Sequence, residues 1–249
     1  MSKISLLVYT HSEYSFMWEV FIGQMNKYMD NDIKVHFLYN NSVDDIEKYD
    51  IPKQWIRHVY DDNMNWTKRI NLALNEIDSE YILFLHEDWI PISKVSGKIL
   101  NEVCNVMDNN LWDYLLSYAH YSRVESQEGI FTGYEDYYFY KEDNHVFQPA
   151  IWKHSTFLEF SNNLDKSKVQ NEDFECLQFM RNKKCYSVQN SKTVRKYRTI
   201  NSLIFPHMHV LSEGLWNFTK YPTLKKLLDD YGIDTDSRGI HTWWELDSQ

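Results

Sequence analysis

Within the first ninety or so residues, apolar runs of strand length alternate with segments of helical period. Ile4-Ser5-Leu6-Leu7-Val8-Tyr9 is a near-continuous apolar run, the pattern of a strand covered on both faces. Ser12 or Glu13 then opens a helix whose buried stripe is Tyr14, Trp18, Phe21, Ile22, Met25 and Met29, broken at Asn31-Asp32. Val35 to Tyr39 and Trp55 to Tyr60 read as two more strands, and Asn65 to Ile77 as a helix with Ile70, Ala73, Leu74 and Ile77 on one face. Tyr81-Ile82-Leu83-Phe84-Leu85 is the clearest strand and runs straight into His86-Glu87-Asp88. Such repetition predicts an α/β fold, a mainly parallel sheet with helices on both faces.

Ligands of parallel sheets sit outside the carboxyl ends of the strands. That directs attention to Thr10-His11, Asn40-Asn41 and His86-Glu87-Asp88. Two acids ending a buried strand are costly unless they meet water, a partner or a cation. A carboxylate there can hold Mg²⁺ or Mn²⁺, which bridges phosphate oxygens; a solvated turn explains the same three residues about equally well. Arg69 lies on the helix beside that strand, placed to hold a diphosphate or to pair with the acids, or simply to face water.

The second half is less regular. Ser93 to Met107 reads as a helix, Tyr114 to Tyr118 and Tyr137 to Tyr140 as strands, and 122 to 136 as a loop. Ser155 to Phe160 and Glu172 to Met180 read as short helices, and Lys183 to Arg198 as a basic stretch ending in a mobile loop. Asn171-Glu172-Asp173-Phe174-Glu175 is well explained as a helix start, with acids in the first turn, and also offers a general base. His207-Met208-His209 follows Pro206; we expect the two rings on opposite sides of a strand, so that one metal takes only one of them.

Composition narrows the function. The net charge of −10 repels phosphate backbones and argues against a nucleic-acid partner. Cys104, Cys176 and Cys185 form no CxxC pair and read as reduced thiols, which implies a cytoplasmic location. No apolar run has the length of a membrane span, and the N-terminal run is too short for a signal peptide. Aromatic residues reach 16%, enough for a large core or for surfaces that stack on sugar rings. Thr10-His11-Ser12-Glu13 after the first strand is not a Gly-rich turn, which disfavours dinucleotide oxidoreductases.

Together and in this order, the signals resemble a nucleotide-sugar-dependent glycosyltransferase of the GT-A fold. Leu85-His86-Glu87-Asp88 resembles a degenerate Asp-x-Asp motif. Trp66-Thr67-Lys68-Arg69-Ile70-Asn71-Leu72-Ala73-Leu74 resembles the Arg-containing helix before it. Gln148 to Lys153 followed by Glu172 to Glu175 resembles the acceptor-side segment of small sugar transferases from bacterial surface-polysaccharide and giant-virus (chlorovirus-like) glycan pathways. His86 stands where the motif has its first acid, and Asn40-Asn41-Ser42 where many relatives carry Asp-Asp-Gly-Ser.

The resemblance implies one domain over 1–249, with a nucleotide-binding half (1–90), a metal and acceptor half (91–210), which includes a smaller acceptor-side sheet, and a C-terminal extension (211–249). It implies a nucleotide-sugar donor, most often linked to uridine, held by Thr10, His11, Asn40, Asn41, Arg69, His86 and Glu87. It implies Mn²⁺ or Mg²⁺ held by Asp88 with His207 or His209, and Asp173 as general base with Glu172 second. The acceptor is a glycan or another hydroxyl compound, and a single base without a covalent step implies inversion. Aromatics of Tyr114 to Tyr121, Tyr134 to Tyr140 and Trp152 are the expected acceptor platform. A glycoside hydrolase or a non-catalytic sugar-binding protein is the rival reading.

Overall fold

The computed structural model describes residues 2–43, 45–117, 126–127, 137–141, 149–163, 179–180, 182–190 and 199–241. A mixed sheet of nine strands forms its centre. Its strands are β1 (Ile4–Tyr9), β2 (Lys34–Asn40), β3 (Ile56–Tyr60), β4 (Tyr81–His86), β6 (Tyr114–Leu116), β7 (Ser126–Gln127), β8 (Tyr137–Lys141), β9 (Ala150–Lys153) and β10 (Cys185–Asn190). They lie in the order β3-β2-β1-β4-β9-β6-β10-β8-β7. The first four are parallel neighbours. β9 runs against β4 and β6, β10 runs parallel to β6, and β8 runs against β10 and β7. All but β8 and β9 therefore point the same way, as a mainly parallel sheet requires.

The apolar runs are continuous because both faces of these strands are covered. Along β1, Ile4, Leu6 and Val8 enter the core under α1 (Trp18–Tyr28) and α3 (Gly97–Asn110), where Trp18, Phe21, Met25, Val103 and Met107 meet them. Leu7 enters the opposite core under α2 (Trp66–Leu74) and α4 (His154–Asn163), with Ile70, Leu74, Phe157 and Phe160. β4 alternates in the same way, Leu83 and Leu85 to one side, Ile82 and Phe84 to the other.

One expectation changes and one strand is added. Ser12–Met17 is a 3-10 turn, so the α-helix starts only at Trp18, and Tyr14 lies outside the buried stripe with 38% exposure. Within the basic stretch Lys183 to Arg198, Cys185–Asn190 is an interior strand between β6 and β8; its alternation of Cys185, Ser187 and Tyr186, Val188 hides the apolar signal, because Ser187 is buried on the sheet. The helix expected at Glu172–Met180 lies outside the described residues apart from Phe179 and Met180.

A third core covers the outer face of α1. There β5 (Trp89–Pro91) pairs antiparallel with β11 (His207–His209), and β12 (Leu211–Ser212) and β13 (Leu215–Trp216) form a hairpin. Trp216, Tyr221, Leu224 and Leu228 pack with Met17, Val20 and Met208. Glu213 and Gly214 turn the hairpin with φ of 52° and 76°, the positive values that a two-residue turn between twisted strands demands. Among the described residues no helix is long and apolar enough to cross a membrane, and Cys104 and Cys185 are buried thiols.

Candidate functional site

In the sheet order, β2 and β3 lie on one side of β1 and β4 on the other. The chain thus changes direction between β1 and β4, and a crevice opens at the carboxyl ends of strands at such a point. The residues delivered there are Tyr9, Thr10 and His11 from β1 and His86, Glu87 and Asp88 from β4. Tyr9 is paired with His86 across the two strands.

Asp88 is held by a return of the chain from far away. Val210 N–H donates to the Asp88 backbone carbonyl (2.8 Å), and the β5–β11 pairing sets His209 opposite Trp89. His209 Nε2 then lies 3.0 Å from Asp88 Oδ2. The Asn217 side-chain amide donates to the His209 carbonyl at 2.8 Å and fixes that strand end. Asp88 Oδ1 and Glu87 Oε2 are buried without a hydrogen-bond partner among the described residues. Burial pushes Asp88 up, but His209, by charge and hydrogen bond, and then His86 outweigh it and bring the carboxyl below its ordinary range. Glu87 is pushed well above its range by burial and then by the neighbouring Asp88 charge. The two shifts run in opposite directions, so the pair favours its negative charge on Asp88 over Glu87.

Glu87 is positioned from behind. Trp18 Nε1 donates to Thr10 Oγ1 at 2.7 Å, which leaves the Thr10 hydroxyl hydrogen for the Glu87 carboxyl. Tyr60 OH donates to the Thr10 carbonyl at 2.8 Å. Glu87 is 4% exposed, a position under the site floor.

His207 and His209 do not point to opposite sides. Residues two apart on a strand share a face, and the intervening Met208 enters the outer core. Depth separates the two histidines. His207 is fully enclosed, its Nδ1 donates to the Phe205 carbonyl at 2.6 Å, and burial holds its pKa down to about 3. His209 is the one that meets Asp88.

A second cluster lies at the ends of β2 and β3, and its hub is a residue that the sequence reading missed. Asp62 Oδ2 accepts from the Asn40 amide (3.0 Å) and from the Ser42 hydroxyl, and Oδ1 lies 3.1 Å from His11 Nε2. These donors, Ser42 first and Asn40 second, hold its carboxyl below the ordinary range. His11 Nδ1 accepts from Glu13 N–H (3.2 Å), so its proton sits on Nε2, facing Asp62. Asn40 is completely buried and its Oδ1 accepts from Ser12 N–H at 2.7 Å. Asn41 is exposed beside it. Asp61-Asp62-Asn63 follows a strand as His86-Glu87-Asp88 does, so the strand-end rule applied to β3 would have found Asp62.

Arg69 braces this cluster. Its Nε donates to the Met64 carbonyl (2.8 Å), Nη2 to the Asp62 carbonyl (2.7 Å) and Nη1 to Tyr9 OH (3.1 Å). The guanidinium also stacks 4.8 Å over the Tyr60 ring, which stacks on Tyr9. Its donors tie down the loop from β3 to α2 and make no ion pair with Glu87 or Asp88. His86 presents its ring edge-on to Tyr9, Phe84 and Trp89 at 5.0 to 5.6 Å.

The expected acceptor platform is corrected in part. Tyr114 and Trp152 are wholly buried, ring against ring at 4.9 Å, and Phe139 is buried as well; they are core. Glu172 and Asp173, and Tyr118 to Tyr121 and Tyr134, lie outside the described residues.

Among the described residues no three His, Cys, Asp or Glu side chains assemble into a metal cage. Mg²⁺-type ions are often bound by one or two carboxylates plus substrate phosphates, and for that arrangement the unpartnered Asp88 Oδ1 is suited. The residues fit a cation that arrives with a diphosphate, not one held by protein alone.

No family model and no curated protein matches the sequence. Solved structures do. The chain is similar to S. aureus TarS 1–349 (14% identity, 99% of this chain and 75% of that one, TM-score 0.49). It is similar to the same protein in complex with UDP (14% identity, 94% and 73%, TM-score 0.47). It is also similar to a 4-diphosphocytidyl-2C-methyl-D-erythritol synthase from Anaerococcus prevotii (16% identity, 76% and 87%, TM-score 0.44).

Proposed function

We propose that the chain is a glycosyltransferase, moving a sugar from a nucleoside-diphosphate sugar to a glycan or other hydroxyl acceptor. The observation that carries this reading is Asp88. It is an ionised carboxylate at the chain reversal of a parallel sheet, with one oxygen on His209 and the other buried and unpartnered. Beside it Asp62 and His11, held in place by the buried Asn40, are the partly exposed groups that would meet the donor's base and ribose. Thr10, Arg69 and Tyr60 keep the floor of that pocket rigid, which counts because proximity supplies several kcal/mol of the barrier.

Asp88, joined by His209, would hold Mn²⁺ or Mg²⁺ together with the donor's phosphates. When bound, that cation neutralises charge on the leaving diphosphate. Asp173 is the proposed general base, Glu172 the second choice, on the sequence resemblance alone; one base implies inversion. A hydrolase needs two carboxyl groups flanking the scissile bond, and the burial of Glu87 beneath Thr10 weighs against its being the second. Uridine is the proposed base, and a cytoplasmic location fits the buried thiols.

The test is incubation with a panel of nucleotide sugars, Mn²⁺ and candidate acceptors. Release of nucleoside diphosphate that EDTA abolishes and Mn²⁺ or Mg²⁺ restores is the expected result. Cleavage of a glycoside without any nucleotide would replace this reading with the hydrolase. Asp173→Asn should lower transfer by roughly 10²–10⁴-fold, the usual weight of a general base.

A further inference from the structure

A cleft on the other side of the Ser12–Met17 turn is unassigned by the reading above. It encloses about 390 Å³ and is lined by Phe16, Gly232, Ile233, Asp234, Ser237 and Arg238, a volume in the range of small-molecule sites. The sequence builds it deliberately. After the helix Leu224–Asp230 the chain reverses at Gly232, with φ of 69°, a conformation that favours glycine. It is then tied back to the β12–β13 hairpin. Trp216 N–H donates to the Gly239 carbonyl (2.9 Å), His241 N–H donates to the Trp216 carbonyl (2.9 Å), and Ile240 bridges Trp216.

Arg238 forms one wall. Its guanidinium lies 4.5 Å over the Phe16 ring. Nη1 donates to the Gly214 carbonyl at 3.3 Å, and the remaining N–H groups of the fork have no partner among the described residues. Ser237 donates its hydroxyl hydrogen to the Asp234 carbonyl (2.7 Å) and keeps its lone pairs. One oxygen of the exposed Asp234 carboxylate accepts from Asp236 N–H at 3.0 Å. Tyr14, 38% exposed and 6.4 Å from Phe16 ring to ring, extends the aromatic surface. Phe16 meets Trp216 edge-on at 6.2 Å. Tyr14 is within electrostatic reach of Glu87 and Asp88 and also of Arg238. The cleft is thus one short turn from the site at the β1 and β4 ends.

We propose that this cleft is a subsite for a neutral saccharide, one ring of which lies against the Phe16–Arg238 stack with its hydroxyls on Arg238, Asp234 and Ser237. An aromatic face takes the C–H side of a sugar ring, and a planar fork takes two neighbouring hydroxyls at once. The rim carries one cation and one carboxylate, on a chain of net charge −10, so a phosphate or an acidic sugar is the poorer fit. That the saccharide is the acceptor rests on the transferase reading; that the cleft binds one does not.

Saturation-transfer NMR on the full chain, with glucose, galactose, rhamnose, N-acetylglucosamine and their disaccharides as probes, tests the site directly. Binding of at least one probe, weakened tenfold or more by Ser237→Trp and by Arg238→Ala, is expected, both variants keeping the wild-type circular dichroism and melting point. Ser237 is exposed, so Ser237→Trp fills the cleft without entering a core. Where transfer is measurable, both variants should raise KM for the acceptor tenfold or more and leave kcat within a factor of about two. No signal from any probe, an equal signal in the folded variants, or equal competition by inorganic phosphate overturns the proposal. Probe binding that the variants abolish, in a chain that turns over no nucleotide sugar, upholds the subsite and removes the transferase.

Discussion

The two ends of the parallel strands treat their polar groups in opposite ways. At the amino ends the charges pair locally at two points. Lys3 Nζ meets Asp108 at 2.8 Å, Tyr81 OH donates to the other Asp108 oxygen at 2.5 Å, and Lys34 meets Asp78 at 2.9 Å. At the carboxyl ends a buried Glu87 stands next to a partly buried Asp88, each with one enclosed oxygen that has no partner among the described residues. A buried unsatisfied polar atom costs about 1–3 kcal/mol and more when charged. One end is therefore arranged for stability, and the other keeps an electrostatic cost that a ligand can relieve. Substitutions at the carboxyl end should damage activity more than folding, and substitutions at the amino end the reverse.

Of the substitutions at the two strand ends, Asp88→Asn has the largest expected effect. A cation at a leaving diphosphate is worth several kcal/mol at the transition state. At tenfold per 1.36 kcal/mol, nucleotide-sugar turnover should fall by roughly 10²–10³-fold. Circular dichroism should show a folded chain. Turnover within about threefold of wild type would erase the proposed contrast between the two ends.

The sheet and most of its helices were legible because the pattern of burial on both faces writes itself as uninterrupted apolar runs, in Ile4–Tyr9 and Tyr81–Leu85 above all. Cys185–Asn190 was not, since its buried positions include Ser187, a polar residue that only the sheet around it makes a core residue. The strand-end rule located Thr10, Asn40, Glu87 and Asp88. It did not reveal that Arg69 turns onto loop carbonyls, or that His209 rather than His207 meets Asp88. The histidine's identity depends on a contact between residues 121 positions apart, which no local pattern encodes, and the turn of Arg69 onto carbonyls five and seven residues before it is a choice of rotamer that residue type does not reveal. Trp152 and Tyr114 read equally well as core and as platform, because an aromatic ring has the same sequence signature in both.

Between the two ends lies a pair that tests whether burial itself governs titration. His36 Nδ1 and His58 Nε2 are 2.9 Å apart across β2 and β3, and Glu76 lies 3.6 Å from the outer nitrogen of His58. Lys34 and Asp78 are the other charges facing His36. Burial and then the His58 charge hold the His36 pKa down to about 4, and burial also lowers His58. The unfolded chain binds these protons near pH 6.5 and the folded chain does not. Stability is therefore complete above about pH 6.5 and is lost as pH falls towards 4. From His36 alone the loss should reach about 2–3 kcal/mol by pH 4.5. Urea melts between pH 7 and 4.5 measure it. A double variant, His36→Leu with His58→Leu, should flatten that dependence, and an unchanged slope would assign it to other groups.

Arg69→Ala should have a smaller effect and tells the two ends apart in another way. It removes donors from two loop carbonyls and from Tyr9, but takes no charge from the Glu87–Asp88 pair. Titration with nucleoside diphosphate should show affinity lowered about tenfold, or ~1.4 kcal/mol, through loosening of the loop that carries Asp62. An Arg69→Lys variant keeps the charge and loses the fork, so it should not rescue. Rescue by Lys would mean that the charge at this position, and not the bracing geometry, is what the nucleotide senses.

The smallest effect belongs to the amino end. Asp108→Asn keeps the size of the side chain and an acceptor for Tyr81 OH, but exchanges a charged hydrogen bond for a neutral one. Burial alone would raise Asp108; the bonds from Lys3 and Tyr81 outweigh it and hold the carboxyl below its ordinary range. Its contribution is thus present above the unfolded carboxylate pKa and is lost as pH falls through the lower folded one. Lys3 and Asp108 side chains are 38% and 37% exposed, so screening discounts the ion pair to a few tenths of a kcal/mol. The hydrogen bond to the 1% exposed Tyr81 is the larger part, and the total should be about 1 kcal/mol at pH 7. The difference from wild type should shrink as pH falls below the ordinary carboxylate range, and nucleotide-sugar turnover should stay within a factor of about two. A variant that melts normally but loses turnover would place Asp108 in the functional half of the molecule and break the division between the two ends of the sheet.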